Sequence, residues 1–136
     1  MNRPKLHVAL LALLLAGFIA VGCRPAVSRE EQAMQAAVDI YHDLLQGRYD
    51  NVVAQRADYD HFPKAFRGEL TEAVAQSHHR MEHTDHGRIS VVKPGHANFD
   101  SVGQQMMVFL IIEYADSVAE EILVPMVERD GQWLLK

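Results

Sequence analysis

The densest run of residues able to do chemistry is Ser77-His78-His79-Arg80-Met81-Glu82-His83-Thr84-Asp85-His86, which holds four of the chain's eight histidines. On a helical wheel His79, His83 and His86 fall within about 60° of one another, opposite the apolar stripe, with Glu72 near the same line. Two imidazoles at i and i+4 can share a divalent cation such as zinc, and a third imidazole or a carboxylate can complete the shell. The spacing is less specific than a Cys-x-x-Cys pair. Asp85 and Gly87 also stand where they would end the helix before His86. A solvated face without metal is therefore the plainer account of His79, His83 and His86, and a surface histidine metal binder stays as an alternative function. Tyr41, Tyr114, Glu113 and His96 are the remaining titratable candidates. General acid–base catalysis needs such groups within reach of one another and tuned by burial, and no spacing here fixes a pair. Glu113 reads as a strand-end carboxylate in water and His96 as a loop surface residue. There is no Gly-rich phosphate loop and no serine or cysteine nucleophile elbow in the sequence. No catalytic residue and no cofactor is assigned.

The single cysteine, Cys23, follows a different logic. Arg3 and Lys5 precede an apolar run from Val8 to Val21, which closes on Ala20, Val21 and Gly22 just before Cys23. A charged start, a short apolar core and small residues at the cut make an export signal. Even counted from Leu6 to Gly22 the run is 17 residues and contains His7, short of the roughly 20 that a spanning helix needs. The segment resembles a bacterial lipoprotein precursor, which implies cleavage after residue 22 and a diacylglycerol thioether on Cys23. Ala20 departs from the leucine usual at that place in the pattern. One acyl chain anchors reversibly, and two or three anchor firmly. Arg24 follows the cysteine where an inner-membrane retention signal would have aspartate, so the expected location is the cell envelope, at the outer membrane facing the periplasm.

Removing 22 of 136 residues leaves 114, enough for one compact domain. Removing Arg3 and Lys5 from the 13 basic residues leaves 11 against 18 acidic, a net charge near −7. With no Lys/Arg cluster, nucleic acid is excluded as an expected partner. With its one cysteine acylated, the domain has no disulfide and is held by packing.

The elements that must position the candidates follow in order. A linker over residues 23–28 contains Pro25. Ser28 and Glu31 form a Ser-x-x-Glu capping box. The helix that it opens aligns Met34, Ala37, Val38, Tyr41, Leu44 and Leu45 on one side and stops at Gly47. Tyr41 falls near the middle of that stripe, as a pocket residue or as a core tyrosine bonded to a carbonyl. Asp50 is placed to cap a second helix and Asp60 a third, with Pro63 in its first turn and Phe62, Phe66, Leu70, Ala73, Val74, Ser77 and Met81 along one face.

From Arg88 the period becomes extended. Ile89 and Val91 alternate until Pro94-Gly95 turns the chain, and residues 96–103 read as a loop, with a short strand around Phe99 as the alternative. Met106 to Ile112 is an unbroken apolar run, typical of a strand buried on both faces and central in its sheet. Ala115-Asp116-Ser117 is a turn. The strand after it, Ala119 to Glu128, contains Pro125, which demands an edge or a bulge. Asp130-Gly131 is a hairpin signal before the last strand.

Helices first, then an antiparallel sheet closing on Asp-Gly-x-Trp, resembles the nuclear transport factor 2-like superfamily over residues 29–136. The residues that carry it are Leu44-Leu45-Gln46-Gly47-Arg48-Tyr49-Asp50, Glu113-Tyr114-Ala115-Asp116 and Glu128-Arg129-Asp130-Gly131-Gln132-Trp133. The resemblance implies an α+β cone, in which N-terminal helices pack on a curved antiparallel sheet around an apolar pocket, with Tyr41, Tyr114 and Phe109 as pocket candidates. It also implies dimers through the sheet, which the two-sided apolar strand Met106 to Ile112 would suit. The expectation is a lipid-anchored, non-catalytic binding or scaffold module for a small apolar ligand or an envelope protein. The alternative is a small isomerase- or dehydratase-like enzyme using Tyr41 with Glu113 or His96.

Overall fold

The computed structural model describes residues 26–136. The leader expected over residues 1–22 and the lipidation site Cys23 lie outside the described residues.

Both halves of the capping box form: the Ser28 hydroxyl accepts the Glu31 N–H at 3.1 Å and the Glu31 carboxylate accepts the Ser28 N–H at 2.9 Å. They open α1 (Arg29–Leu45), which ends before Gly47 at φ +72°, a left-handed conformation that glycine adopts without strain. Ala33, Ala37, Val38, Ile40 and Leu44 are its buried residues. The small Ala33 and Ala37 are wholly covered and let the helix lie close on the sheet.

Two helix starts differ from expectation. In α2 (Tyr49–Ala54) the cap position is Arg48, whose side chain makes no capping bond, and Asp50 sits inside the first turn, where its charge still favours the helix N-terminus. The third helix, α3 (Lys64–Glu82), begins after Pro63, and Asp60 lies in a separate 3-10 turn (Tyr59–His61). The cause is Pro63, which pushes Phe62 to extended ψ 134° and so breaks the helical path behind it.

Four antiparallel strands follow in a simple meander, β1 (Ile89–Asp100), β2 (Gln105–Tyr114), β3 (Ala119–Arg129) and β4 (Gln132–Leu135), ordered β1-β2-β3-β4. Pro94-Gly95 does not turn the chain. The strand runs on to Asp100, because an irregularity between Pro94 and His96 absorbs the extra residue and β1 is an edge strand that tolerates proline. Gly95 is required there, since a Cβ would sit 2.7 Å from the Phe109 carbonyl oxygen.

As expected, β2 is central, but it is buried on one face only. Met106, Val108, Leu110, Ile112 and Tyr114 point to the helices and are buried, while Met107, Phe109, Ile111 and Glu113 between them are only half-covered. Each fully buried aliphatic side chain contributes about 1.5–3 kcal/mol of transfer free energy, so this inner row anchors the core with Val92, Val124, Met126 and Trp133. Pro125 falls opposite Lys136, at the end of β4, whose N–H bonds the Pro125 carbonyl at 3.1 Å. Asp130 and Gly131, with φ of +51° and +76°, form the expected hairpin turn. The end of β4 is also clamped from the helical side: Leu135 donates to the Gln55 carbonyl and accepts from the Ala57 N–H, both at 2.8 Å.

Candidate ligand cavity

Beyond Gly47 the chain passes through the short α2, turns, and sends α3 back beside it. Among the described elements α3 packs chiefly on α2. The space left between α1, α2 and α3 is a cavity of about 260 Å³. Ile40, Tyr41 and Leu44 of α1 and Val52 of α2 form one side, Val74, Ser77, His78 and Met81 of α3 the other, and the clamped Leu135 of β4 the end wall. A larger groove of about 960 Å³ between α1 and the Pro94-Gly95 bulge is bordered by Glu31, Gln32, Gln35 and Asp39, and is an open surface feature.

Tyr41 lies in the cavity wall, and its hydroxyl has no hydrogen-bond partner among the described residues. Burial pushes its pKa up, so the phenol keeps its proton. Opposite lies His78, which sequence reasoning passed over in favour of its exposed neighbours. It is the one buried polar residue among the described residues, 3 % exposed. Its Nδ1 is 3.0 Å from the Tyr49 hydroxyl, and the two rings meet edge to face at 5.7 Å. Its Nε2 has no partner, with the nearest Glu82 carboxylate oxygen at 3.9 Å, beyond hydrogen-bond reach. A signal was available: His78 stands four residues after Val74 and three before Met81, on the same helical stripe.

The other candidates are dispersed. Tyr114 faces inward but away from the cavity, bonding Glu120 at 3.0 Å. Burial, then Glu120, raises its pKa. Phe109 is not a pocket residue: the pleat turns it to the outer face, where it stacks on His96 at 4.3 Å. Glu113 is paired with Lys93, and His96 lies 3.6 Å from Glu121, both on that outer face. The sheet therefore stands between Tyr41 and the two groups proposed to work with it.

The three histidines of the metal hypothesis have three different neighbours. His79 is 3.7 Å from Glu82, the His83 Nδ1 donates to the His79 carbonyl at 2.6 Å, and the His86 Nδ1 bonds Asp116 at 2.8 Å. His83 is the residue at which α3 ends, so His86 leaves the helical line. Among the described residues no group of three or more His, Cys, Asp or Glu side chains is arranged to hold a metal ion. The hydrogen bond from Asp116 raises the His86 pKa, and the same bond, with the Val118 N–H, lowers that of Asp116.

No family model and no curated protein sequence matches the chain. Among solved structures, an NTF2-like protein of Campylobacter jejuni, provisionally assigned as a transpeptidase, superposes with a TM-score of 0.54 at 14% identity, over 74% of this chain and 94% of that one. At that identity the likeness shows the fold alone: helices packed on a four-stranded antiparallel sheet of NTF2-like type.

Proposed function

We propose that this chain is a lipid-tethered cell-envelope domain that holds a small apolar ligand in the helix-lined cavity without transforming it. The observation that carries the reading is the cavity, walled largely by aliphatic side chains and carrying few polar groups, the usual makeup of a small-molecule site. The non-catalytic part is supported by the separation of Tyr41 from Glu113 and His96, which lie beside Lys93 and Glu121 on the opposite side of the sheet. Transpeptidation, the activity attributed to the structural neighbour, needs a nucleophile with a base at hydrogen-bond distance. Ser77 lines the cavity, but among the described residues its hydroxyl bonds no imidazole.

Thioether anchoring at Cys23 would place the domain at the outer membrane, facing the periplasm. A second copy is the partner proposed for the outer sheet face, where Phe109, Ile111 and Leu123 form a half-covered apolar surface. The test of the ligand reading is titration with ethylbenzene followed by methyl NMR. Shifts confined to Leu44, Val52, Val74 and Leu135, and abolished by Leu44→Trp, are expected. Shifts spread over the surface, or none, would overturn it.

A further inference from the structure

The Tyr41 hydroxyl, without a partner among the described residues, borders this cavity together with His78, whose Nδ1 is held by Tyr49 and whose Nε2 is unpaired. A hydroxyl in an otherwise aliphatic wall selects by hydrogen bonding, because an apolar occupant forces it out of water with nothing in return. The remaining lining is Ile40, Leu44, Val52, Val74, Met81 and Leu135, with Ser77 at the rim, and no carboxylate or cationic amine borders the space. A charged ligand would lose its hydration there without a counter-ion. Size narrows the class further. A dry cavity of about 150 Å³ holds a benzene, and drug-sized sites begin near 300 Å³, so 260 Å³ suits about ten non-hydrogen atoms. The thioether of Met81 gives that wall some latitude in shape.

Building on the proposed ligand cavity, we infer that its occupant is a neutral, single-ring-sized molecule carrying one carbonyl or ether oxygen, which accepts a hydrogen bond from the Tyr41 hydroxyl. The donor direction follows from the phenol, which is held protonated by burial and has its proton free. The His78 Nε2 is closed to solvent and so offers an occupant no donor or acceptor, which leaves the Tyr41 hydroxyl to take the oxygen.

The test uses the full chain. Acetophenone and isopropylbenzene have the same number and connectivity of non-hydrogen atoms, with a carbonyl oxygen in one where the other has a methyl. Their dissociation constants are measured by methyl NMR for the parent, Tyr41→Phe and Ser77→Ala. Loss of the hydrogen bond in Tyr41→Phe should weaken acetophenone relative to isopropylbenzene by about fivefold, with Ser77→Ala leaving the ratio unchanged. If both probes bind and the ratio is the same in Tyr41→Phe, or moves only in Ser77→Ala, the assignment of Tyr41 is wrong while the cavity reading stands. If neither probe binds the parent, the cavity reading fails and the inference with it.

Discussion

His78 is a residue whose removal should strengthen the fold, and two substitutions separate its two nitrogens. In the native state Nδ1 is satisfied by the Tyr49 hydroxyl at 3.0 Å and Nε2 is buried with no partner. An unsatisfied buried polar atom costs about 1–3 kcal/mol, while a neutral hydrogen bond contributes about 0.5–1.5 kcal/mol net. His78→Phe keeps a ring to meet Tyr49 edge to face, removes the unpaired Nε2, and gives up the one bond. The Tyr49 hydroxyl is only part-buried and can turn to water, and the neighbouring cavity has room for the larger ring. The net is a gain of about 1 kcal/mol, or roughly 4 °C in Tm for a domain of this size. Tyr49→Phe does the reverse. It deletes the bond and leaves both imidazole nitrogens buried and unpaired, so a loss of about 2 kcal/mol is expected. The two variants should thus lie about 3 kcal/mol apart in urea unfolding with unchanged slopes. If Tyr49→Phe proves as stable as His78→Phe, Nε2 is not an orphan and the argument from its burial collapses.

Three further outcomes follow from the same structure. Leu123 is 46 % exposed beside Phe109 on the outer sheet face, so Leu123→Glu should convert a dimer to monomer in light scattering with the Tm little changed, and a parent that is monomeric at high concentration removes the sheet as an interface. The His86–Asp116 pair ties the loop after α3 to the β2–β3 turn, and its pH signature has a fixed sign. The raised His86 pKa adds stability that is full below the unfolded histidine value near 6.5 and is lost as pH rises through the folded value. The lowered Asp116 pKa adds stability that is present above the unfolded aspartate value near 3.9 and is lost as pH falls through the folded one. Asp116→Asn, which keeps an acceptor for the Val118 N–H, should therefore lower Tm most between about pH 4 and 6.5 and little at pH 9, and a pH-independent deficit would refute the pairing. Finally, Cys23→Ala should move the protein from the membrane pellet to the soluble fraction or leave it with an uncut leader, and firm retention with a normally cut leader would rule out the thioether anchor.

What was legible in the sequence was the part of the fold encoded by short-range chemistry. The capping box at Ser28 and Glu31, the stop at Gly47 and the Asp130-Gly131 hairpin each depend on a few adjacent residues, and all three form. Where an outcome depended on long-range pairing, local signals misled. Pro94-Gly95 carries the composition of a turn, yet pairing with Leu110 and Phe109 carries the strand straight through it, because an edge strand can do without proline's missing donor. The run Met106 to Ile112 is apolar at every position, so hydropathy alone could not tell which face the helices cover, and Phe109 was placed inside when the register with Leu123 puts it outside. The place of Tyr41 on one helical stripe of α1 is a local matter. His78 was missed because its setting is not: Tyr49 approaches it across 29 positions of sequence, and the wall that buries it includes Leu135 from the far end of the chain. A histidine among histidines looks like a solvated cluster until the fold singles out one of them, and the one it singles out borders the cavity while His79, His83 and His86 serve helix-end and surface contacts. The side chains that sequence spacing could pair therefore lie apart, and the pair that shares a space, Tyr41 and His78, was assembled by the packing of α3 on α2, which sets it across the cavity from α1.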